Sequence, residues 1–290
     1  MNALELHGVG YRYSVGTPFE KDALKKIDLA VEAGCITGLI GHTGSGKSTL
    51  VQLLNGLLRP SEGEVLLFGK NIWEKPKEIR KVRFAVGLVF QYPEYQLFEE
   101  TVYADIAYGC KNMGLSKEET DARVKDAARF TGLDETYFSR SPFELSGGQK
   151  RRVAIAGILA MQPQVLVLDE PAAGLDPMGR EEILGGLYSY QRQSQKTVII
   201  VSHSMEDVAR FCDRITVMNQ GEVFTSGSVR EVFTHANELQ KIGLDIPQIT
   251  KLILQLRARG YVLPDLYTVE DAVRYFAGRL SSEKGGADHA

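Results

Sequence analysis

Residues 41–48 read Gly-His-Thr-Gly-Ser-Gly-Lys-Ser and match the pattern G-x-x-x-x-G-K-[ST]. The apolar run from Cys35 to Ile40 precedes this stretch, and an apolar helical stripe that starts at Lys47 and stops before Pro60 follows it. Strand, glycine loop and helix form the setting in which this pattern binds phosphate, because loop N–H groups and the helix start surround the phosphate oxygens. The stretch therefore predicts an α/β fold that binds a nucleotide.

The same stretch predicts which atoms meet the nucleotide. We expect Lys47 to contact the β and γ phosphates and the Ser48 hydroxyl to bind Mg²⁺. The residues around them complete the predicted nucleotide-binding set, which is Gly41, His42, Thr43, Gly44, Ser45, Gly46, Lys47, Ser48 and Thr49.

Two carboxylates follow a second apolar strand. Val165 to Leu168 is a continuous apolar run, typical of a strand covered on both faces in a parallel sheet, and Asp169 and Glu170 follow directly. Open α/β sheets bind ligands at the carboxyl ends of their strands. We expect Asp169 to join the Mg²⁺ shell and Glu170 to orient or deprotonate the attacking water. The alternative is a strand that simply ends in solvated acids.

Two further polar residues close predicted strands. His203 follows the apolar run Thr197 to Val201, and Gln91 closes the run Val86 to Phe90. Taken alone, a single histidine is more often a satisfied structural residue than a functional one, and the glutamine is a weaker signal still. Their position in the order of motifs along the chain makes both candidates for a catalytic role.

The remaining patterns divide the chain. Residues 4–11 and 27–31 alternate apolar and polar side chains, as half-buried antiparallel strands do. Between residues 91 and 143 helix signals dominate, with a capping box predicted from Ser116 and Glu119 and a helix end at Gly132. We expect a helical subdomain, about residues 92–160, inserted into the α/β core.

Helical patterns return from about residue 235, after a turn and hairpin predicted at Asn219-Gln220-Gly221. One helix is predicted after Pro247 by apolar residues at i, i+3, i+4 and i+7, namely Ile249, Leu252, Ile253 and Leu256. The predicted division is a nucleotide-binding domain over residues 1–235, a helical extension over 236–280 and a disordered tail over 281–290.

Composition excludes some functions. The net charge of -3 gives no basic footprint for nucleic acid, so no nucleic-acid partner is expected. Three distant cysteines, Cys35, Cys110 and Cys212, lack metal-ligand spacing and are expected to be reduced and mostly buried. No apolar run approaches the length of a spanning helix, which predicts a soluble chain that could still dock on a membrane protein.

The pentapeptide Leu145-Ser146-Gly147-Gly148-Gln149 narrows the class of nucleotide-binding protein. On its own it could be a glycine turn before a helix. In the order glycine loop, Gln91, pentapeptide, acidic pair, Asp176 and His203, however, residues 3–235 resemble the ATP-binding cassette (ABC) ATPases. The resemblance implies a P-loop NTPase fold of ABC type: a mainly parallel sheet, an antiparallel β subdomain, an inserted helical subdomain and a C-terminal helical extension.

The resemblance also implies residue roles. Residues 41–48 are similar to the family's Walker A loop and residues 165–170 to Walker B, with ATP and Mg²⁺ as cofactors. Gln91 is similar to the Q-loop glutamine, which joins the metal shell, Asp176 to the D-loop aspartate and His203 to the switch histidine. Tyr13 is similar to the aromatic residue that stacks on adenine, and Tyr11 is the competing choice.

In this family two ATPases form a head-to-tail dimer with ATP sandwiched at the interface. The pentapeptide 145–149 is similar to the family's signature motif, so Ser146, Gly147, Gly148 and Gln149 of this signature would bind the ATP held by the partner's Walker A loop. Residues 89–98 and 143–160, with the C-terminal helices, resemble the cobalt-type ATPases of energy-coupling factor (ECF) transporters, and most closely the second ATPase of the shared vitamin-uptake module. The C-terminal helices would either clamp the dimer or cover their own domain.

The ECF resemblance implies partners and a location. A second ABC ATPase is expected as a heterodimer partner, although a homodimer is possible, and both would drive a membrane T component carrying substrate-capture S components. Residues 92–98 would then lie near the groove for the T component's coupling helices, or form an ordinary surface loop. The chain would lie at the cytoplasmic face of the cell membrane as a peripheral protein and power uptake of vitamins or transition-metal ions.

Two other functions remain as alternatives. A soluble ABC ATPase acting on nucleic acid or ribosomes typically carries coiled-coil insertions or tandem cassettes, which this chain lacks. A non-hydrolytic nucleotide sensor would be expected to lose Glu170 or His203, and both are present.

Overall fold

A computed structural model describes the backbone of residues 1–285 and the side-chain surroundings of residues 1–279. Its strands, in chain order, are β1 Asn2–Tyr13, β2 Lys21–Glu32, β3 Ile36–Gly41, β4 Glu62–Leu67, β5 Lys70–Asn71, β6 Val86–Val89, β7 Val165–Asp169, β8 Thr197–Val201, β9 Arg214–Asn219 and β10 Glu222–Ser228. Its α-helices are α1 Lys47–Leu54, α2 Ile79–Ala85, α3 Val102–Asn112, α4 Lys117–Thr131, α5 Gly147–Ala160, α6 Pro177–Ser194, α7 Met205–Phe211, α8 Val229–Thr234, α9 Ala236–Lys241, α10 Gln248–Ala258 and α11 Val269–Gly285.

The strands form two sheets. The smaller sheet has the order β2-β1-β4-β5 and is antiparallel, as the alternating pattern near the start of the chain predicts. The larger sheet has the order β10-β9-β3-β8-β7-β6, with parallel pairing from β9 to β6 and an antiparallel edge at β10. The predicted fold class, a mainly parallel sheet with a separate antiparallel one, is confirmed.

The larger sheet is covered on both faces. Along β7, Val165 and Val167 join a cluster with α1 and the smaller sheet, whereas Leu166 and Leu168 join a cluster with the helices. Every residue of β3, β6, β7 and β8 is buried, which explains their continuous apolar sequences. Because β3, β6, β7 and β8 run in one direction, the residues that follow them meet at a common edge.

Helices α3, α4 and α5 lie in sequence between β6 and β7, within the span predicted for the helical subdomain. Ser116 caps α4 by accepting a hydrogen bond from the Glu119 N–H, and Gly132 ends it in the left-handed conformation, with φ 66°. The reciprocal half of the predicted capping box is absent. The Glu119 side chain instead accepts from Arg123 at 2.7 Å, because the ion pair one turn along competes for the same carboxylate.

The C-terminal helices begin earlier than predicted. Helix α8 starts at Val229 because Ser228 and Glu231 form a full capping box, a signal that the sequence analysis missed. Helix α11 extends to Gly285, so the predicted tail is helical in its first part. Glu283 and Lys284 are good helix formers, which favours this extension. The rest of the predicted tail, residues 286–290, lies outside the described residues.

The predicted apolar stripe on α10 is only partly buried. Ile253 lies in a small cluster with Leu266 and Ala272, whereas Leu252 on the same stripe is 44% exposed. The part of the extension around α10 and α11 thus forms its own small cluster and leaves apolar surface uncovered, whereas Ala236, Leu239, Leu244 and Ile246 join the main core. Among residues 1–285, no helix is long and apolar enough to cross a membrane.

Candidate active site

A cavity of about 500 Å³ lies where the parallel strands end. The glycine loop follows β3, Asp169 ends β7, and Gln91 and His203 come two residues after β6 and β8. The cavity brings together most of the predicted site residues, namely Tyr13, Thr43, Gly44, Gly46, Lys47, Ser48, Thr49, Gln91, Asp169, Glu170 and His203. Residues separated in sequence therefore converge on one site, as the edge of a parallel sheet allows.

Lys47 shapes the glycine loop from within. Its ammonium group donates hydrogen bonds to the Gly41 and His42 carbonyl oxygens, at 2.6 and 3.0 Å. Burial lowers the pKa of Lys47, and the nearby Glu170 and Asp169 carboxylates oppose that shift. The loop backbone thus wraps around the Lys47 ammonium group, whose positive charge faces the cavity.

Gly46 shows why the loop needs glycine. It precedes α1 with a φ of 104°, and a Cβ atom there would lie 2.8 Å from the Ala23 carbonyl oxygen. Both the left-handed backbone and the close approach exclude other residues. The start of α1 is therefore presented to the cavity as bare backbone.

Ser48 and Asp169 face each other. The Ser48 hydroxyl donates to Asp169 Oδ2 at 3.2 Å, between the start of α1 and the end of β7. Burial raises the pKa of Asp169, while Ser48, Lys47 and His203 oppose this effect. A hydroxyl and a carboxylate at this spacing form an oxygen donor set of the kind that Mg²⁺ prefers.

Glu170 has a strained backbone and an unusual environment. Its φ is 52°, and burial, followed by the nearby charge of Asp169, raises its pKa to about 7. His203 Nε2 lies 3.4 Å from Glu170 Oε1, yet this buried oxygen has no hydrogen-bond partner among residues 1–279. Burial and the Lys47 charge lower the pKa of His203. Glu170 therefore has the free acceptor and the poised pKa of a general base.

Tyr13 and Tyr11, the two candidates for stacking on adenine, have different surroundings in the structure. Tyr13 lines the cavity, and its hydroxyl lies 3.1 Å from Thr49 Oγ1. Tyr11 packs against the core between the sheets and meets Tyr13 edge to face, with ring centroids 4.9 Å apart. This placement favours Tyr13 as the stacking residue.

Three predicted loop residues support the cavity from outside its lining. His42 Nε2 lies 3.1 Å from Asn219 Oδ1, while Ser45 is fully buried behind the loop, as is Gly41 at the end of β3. Sequence reasoning missed part of the lining, namely Lys21, Asp22, Ala23, Gln220 and Gly221. The turn at residues 219–221 was a visible signal of a hairpin, but not of its contact with the loop. That contact is a hydrogen bond of 3.0 Å from the Gly221 N–H to the Ser45 carbonyl.

The predicted signature residues lie outside the cavity. Ser146 caps α5 in a full capping box with Gln149, whose side-chain amide donates to the Tyr137 hydroxyl at 3.0 Å. A Cβ atom on Gly147 would meet nothing within 4 Å, and one on Gly148 would only touch Leu175 at 3.7 Å. This chain's own fold therefore leaves open space around both glycines.

Asp176 also lies outside the cavity. It caps α6, accepting a hydrogen bond from the Gly179 N–H at 2.7 Å. The structure thus gathers the Walker-type residues in one place and leaves the signature and Asp176 elsewhere on the surface.

Sequence comparison identifies the family. The family described as ABC transporter matches residues 24–173, which is more than half of the chain. The chain belongs to the ABC transporter family. The energy-coupling factor transporter ATP-binding protein EcfA2 of Caldanaerobacter subterraneus is 51% identical over 280 residues, covering 95% of this chain and 98% of that protein. The protein of the same name from Clostridium perfringens is 52% identical over 272 residues, covering 93% and 95%.

Solved structures agree with this assignment. The protein cbiO1 from Clostridium perfringens, part of the ABC transporter complex cbiONQ, has a TM-score of 0.74 and 42% identity, covering 87% of this chain and 98% of that one. The cassette MJ0796, solved as a dimer in a post-hydrolysis state bound to ADP and Pi, has a TM-score of 0.71 and 30% identity, covering 78% and 99%. The predicted ECF-type ABC ATPase is confirmed, and the soluble nucleic-acid ATPase is not favoured.

This ABC ATPase has a second depression, which we call the 93–98 groove. Its volume is about 350 Å³, and its lining combines the 3-10 turn Pro93–Gln96 and the residues after it with one face of α3 and of α5, including Leu97, Phe98, Tyr108, Gly157 and Met161. Phe98 and Tyr108 are 58% and 44% exposed and pack edge to face, with ring centroids 4.8 Å apart. The segment predicted to face a membrane partner therefore borders an apolar groove.

Proposed function

We propose that this ABC ATPase binds Mg²⁺-ATP in the cavity and that its hydrolysis powers an ECF importer. One observation carries the proposal: Lys47, Ser48, Asp169, Glu170 and His203 share a single cavity, while the signature stands outside it. The cavity holds the residues that bind the phosphates and the attacking water, but it lacks the signature. It is therefore half of a composite site whose other half is the signature of another subunit.

Each cavity residue then has a chemical task. Lys47 and the loop N–H groups bind the β and γ phosphates, and Tyr13 stacks on the base. Ser48, Asp169 and Gln91 would hold Mg²⁺, which neutralises phosphate charge when bound. Glu170 orients the attacking water through its carboxylate and accepts a proton, and His203 holds its place beside that carboxylate.

The signature points to a dimer. Open space around Gly147 and Gly148 lets a phosphate approach the backbone N–H groups at the start of α5, where the helix dipole favours negative charge. That phosphate belongs to ATP bound by the other subunit, and the solved dimer of MJ0796 supports such pairing. We propose a second, homologous ABC ATPase as the partner, with pairing of two identical copies as the competing arrangement.

The membrane partner would dock on the 93–98 groove. An apolar groove bordered by exposed Tyr95, Phe98 and Tyr108 suits the apolar face of a helix. The names of the relatives, energy-coupling factor transporter proteins, support a membrane T component with S components attached to it. The chain would then lie at the cytoplasmic face of the membrane and power uptake of vitamins or transition-metal ions.

Purification from native membranes tests the proposal. The chain should copurify with a second cassette ATPase and a T component identified by mass spectrometry, and hydrolysis should rise when the second ATPase is added to the isolated chain. Copurification with ribosomal or DNA-repair proteins alone would overturn the assignment. Recovery of the T component with this ATPase alone would establish the homodimer.

A further inference from the structure

Arg151 is a buried charged residue that lies outside the nucleotide cavity. Among residues 1–279, the buried charged residues are Lys47, Asp169 and Arg151, and the first two line the cavity. The Arg151 side chain, on α5 just after the signature, is 4% exposed. A buried guanidinium needs partners for its donors, so its contacts define its role.

The guanidinium contacts two other segments. It forms a fork with Glu94, Nε to Oε2 at 3.0 Å and Nη2 to Oε1 at 2.8 Å, and its Nη1 donates to the Ala173 carbonyl oxygen. The Tyr92 ring lies 5.8 Å from Arg151 Cζ. Burial, the largest single effect, opposes the ionised form of Glu94, but the hydrogen bond and charge of Arg151 together with a backbone hydrogen bond lower the pKa of Glu94 overall. We call Arg151, Glu94 and the Ala173 carbonyl the Arg151 junction.

The junction joins three functional parts. Glu94 lies in the 3-10 turn that lines the 93–98 groove. Ala173 lies in the loop after Glu170, and its N–H donates to the Glu170 carbonyl at 3.1 Å. Arg151 itself lies on the helix that the signature starts. One side chain therefore fixes the distances between the groove, the signature helix and the loop that follows the candidate general base.

Stability alone does not explain such a pair. The desolvation of a buried ion pair commonly offsets its attraction, so replacement by apolar residues is often neutral or stabilising. The planar fork of an arginine, in contrast, fixes direction as well as distance. The junction therefore contributes a fixed distance and direction between its segments rather than stability.

We propose that Arg151 is a positioning residue that transmits occupation of the 93–98 groove to the loop after Glu170. A helix seated in the groove would press on the turn that holds Glu94. Because the fork is rigid, a shift of that turn would move Arg151 and the Ala173 carbonyl with it. This inference rests on the proposed function, since its signal is the membrane component docked in the groove.

The test uses variants that change the geometry of the Arg151 junction but keep the charge of each side chain. Arg151→Lys keeps the positive charge but replaces the planar fork by a single ammonium group, and Glu94→Asp keeps the carboxylate but shortens its reach by one methylene. Arg152→Lys is the matched control, because Arg152 follows Arg151 on α5, pairs with Glu182 and has a side chain that is 18% exposed, while its other hydrogen bonds go to the Thr131 and Gly132 carbonyls, away from the groove and from Ala173. The readout is the hydrolysis rate of the two-ATPase dimer with and without the membrane component in nanodiscs, alongside ATP affinity and Tm.

We expect each junction variant to reduce the response to the membrane component by about fivefold or more, the lower range of common coupling energies. The double variant should lose no more than either single one, and ATP affinity and Tm should match those of Arg152→Lys. A response equal to that of the control would overturn the inference, as would loss of ATP affinity in parallel. If the wild-type dimer itself ignores the membrane component, the proposed function fails instead.

Discussion

The imidazole of His203 lies beside the carboxylate of Glu170, with Nε2 3.4 Å from Oε1. The two groups come from the ends of neighbouring strands, β8 and β7, which pair in parallel. Among the described residues no group donates a hydrogen bond to that buried glutamate oxygen, so its capacity as an acceptor is unused. The histidine thus restricts the orientations of the Glu170 carboxylate, but it forms no hydrogen bond that would make the carboxylate a weaker base.

Replacement of Glu170 by glutamine should separate binding from turnover. Glu170→Gln keeps the size of the side chain but removes the base, so hydrolysis should fall by about 10²- to 10⁴-fold, the usual contribution of acid–base catalysis. ATP affinity should persist because Lys47 and the loop remain. Phosphate release and a fluorescent ATP analogue measure the two effects. Glu206→Gln is the control, as Glu206 lies outside the cavity lining; equal losses in both variants would contradict the role of Glu170.

Removal of the loop lysine should weaken binding itself. Lys47→Ala deletes the two hydrogen bonds that curl the loop and the charge that meets phosphate. Hydrogen bonds to charged groups contribute about 1.5–3 kcal/mol, so ATP affinity should fall by about tenfold or more. Isothermal titration calorimetry checks this, with Tm as the control for folding. Unchanged affinity would exclude Lys47 as a phosphate ligand.

Local sequence patterns could predict much of this site. The glycine loop fixes strand, turn and helix within a few residues, and continuous apolar runs marked β7 and β8 as covered strands whose last residues share an edge. The position of Asp169 near Ser48 follows from that topology. Each inference needed only neighbours in sequence and the direction of the strands.

Other contacts depend on packing that no local pattern encodes. Arg151 and Glu94 are separated by 57 residues, and each alone reads as an ordinary surface charge. The turn at Gly221 predicted a hairpin, but its bond to Ser45 depends on how β9 lies beside β3. Glu119 satisfied the capping-box pattern yet paired with Arg123, because two local interactions competed for one carboxylate.

The aromatic residue at the cavity entrance should contribute through its ring. Tyr13→Ala should weaken ATP binding by about fivefold or more, since base stacking on an aromatic side chain contributes about 1–3 kcal/mol. Tyr13→Phe removes the 3.1 Å contact with Thr49 but keeps the ring, so its affinity should stay near the wild-type value. Fluorescence titration with labelled ATP compares them. Equal affinity of all three proteins would favour Tyr11 or another contact.

Two adjacent glycines in α6 should respond in opposite ways to alanine. A Cβ atom on Gly186 would strike the Phe130 carbonyl oxygen in α4, whereas one on Gly185 would meet nothing within 4 Å. Gly186→Ala should therefore destabilise the protein by about 1–3 kcal/mol through overpacking. Gly185→Ala should stabilise it by about 0.5–1 kcal/mol through helix entropy. Urea unfolding measures the change in free energy of unfolding for both variants. If both changes have the same sign, the α4–α6 contact does not explain the difference between the two positions.

The signature should act on the ATP of the partner. Ser146→Arg places a large cation where the dimer would bring a phosphate, so it should inactivate the site built on the partner's loop lysine while sparing the site at Lys47. Dimers in which only one loop lysine remains, assayed for hydrolysis, distinguish the two sites. Ser116→Arg removes a similar cap on α4 and controls for helix stability. A loss confined to the mutated chain's own site would contradict the composite arrangement, because Ser146 lies outside the lining of that cavity.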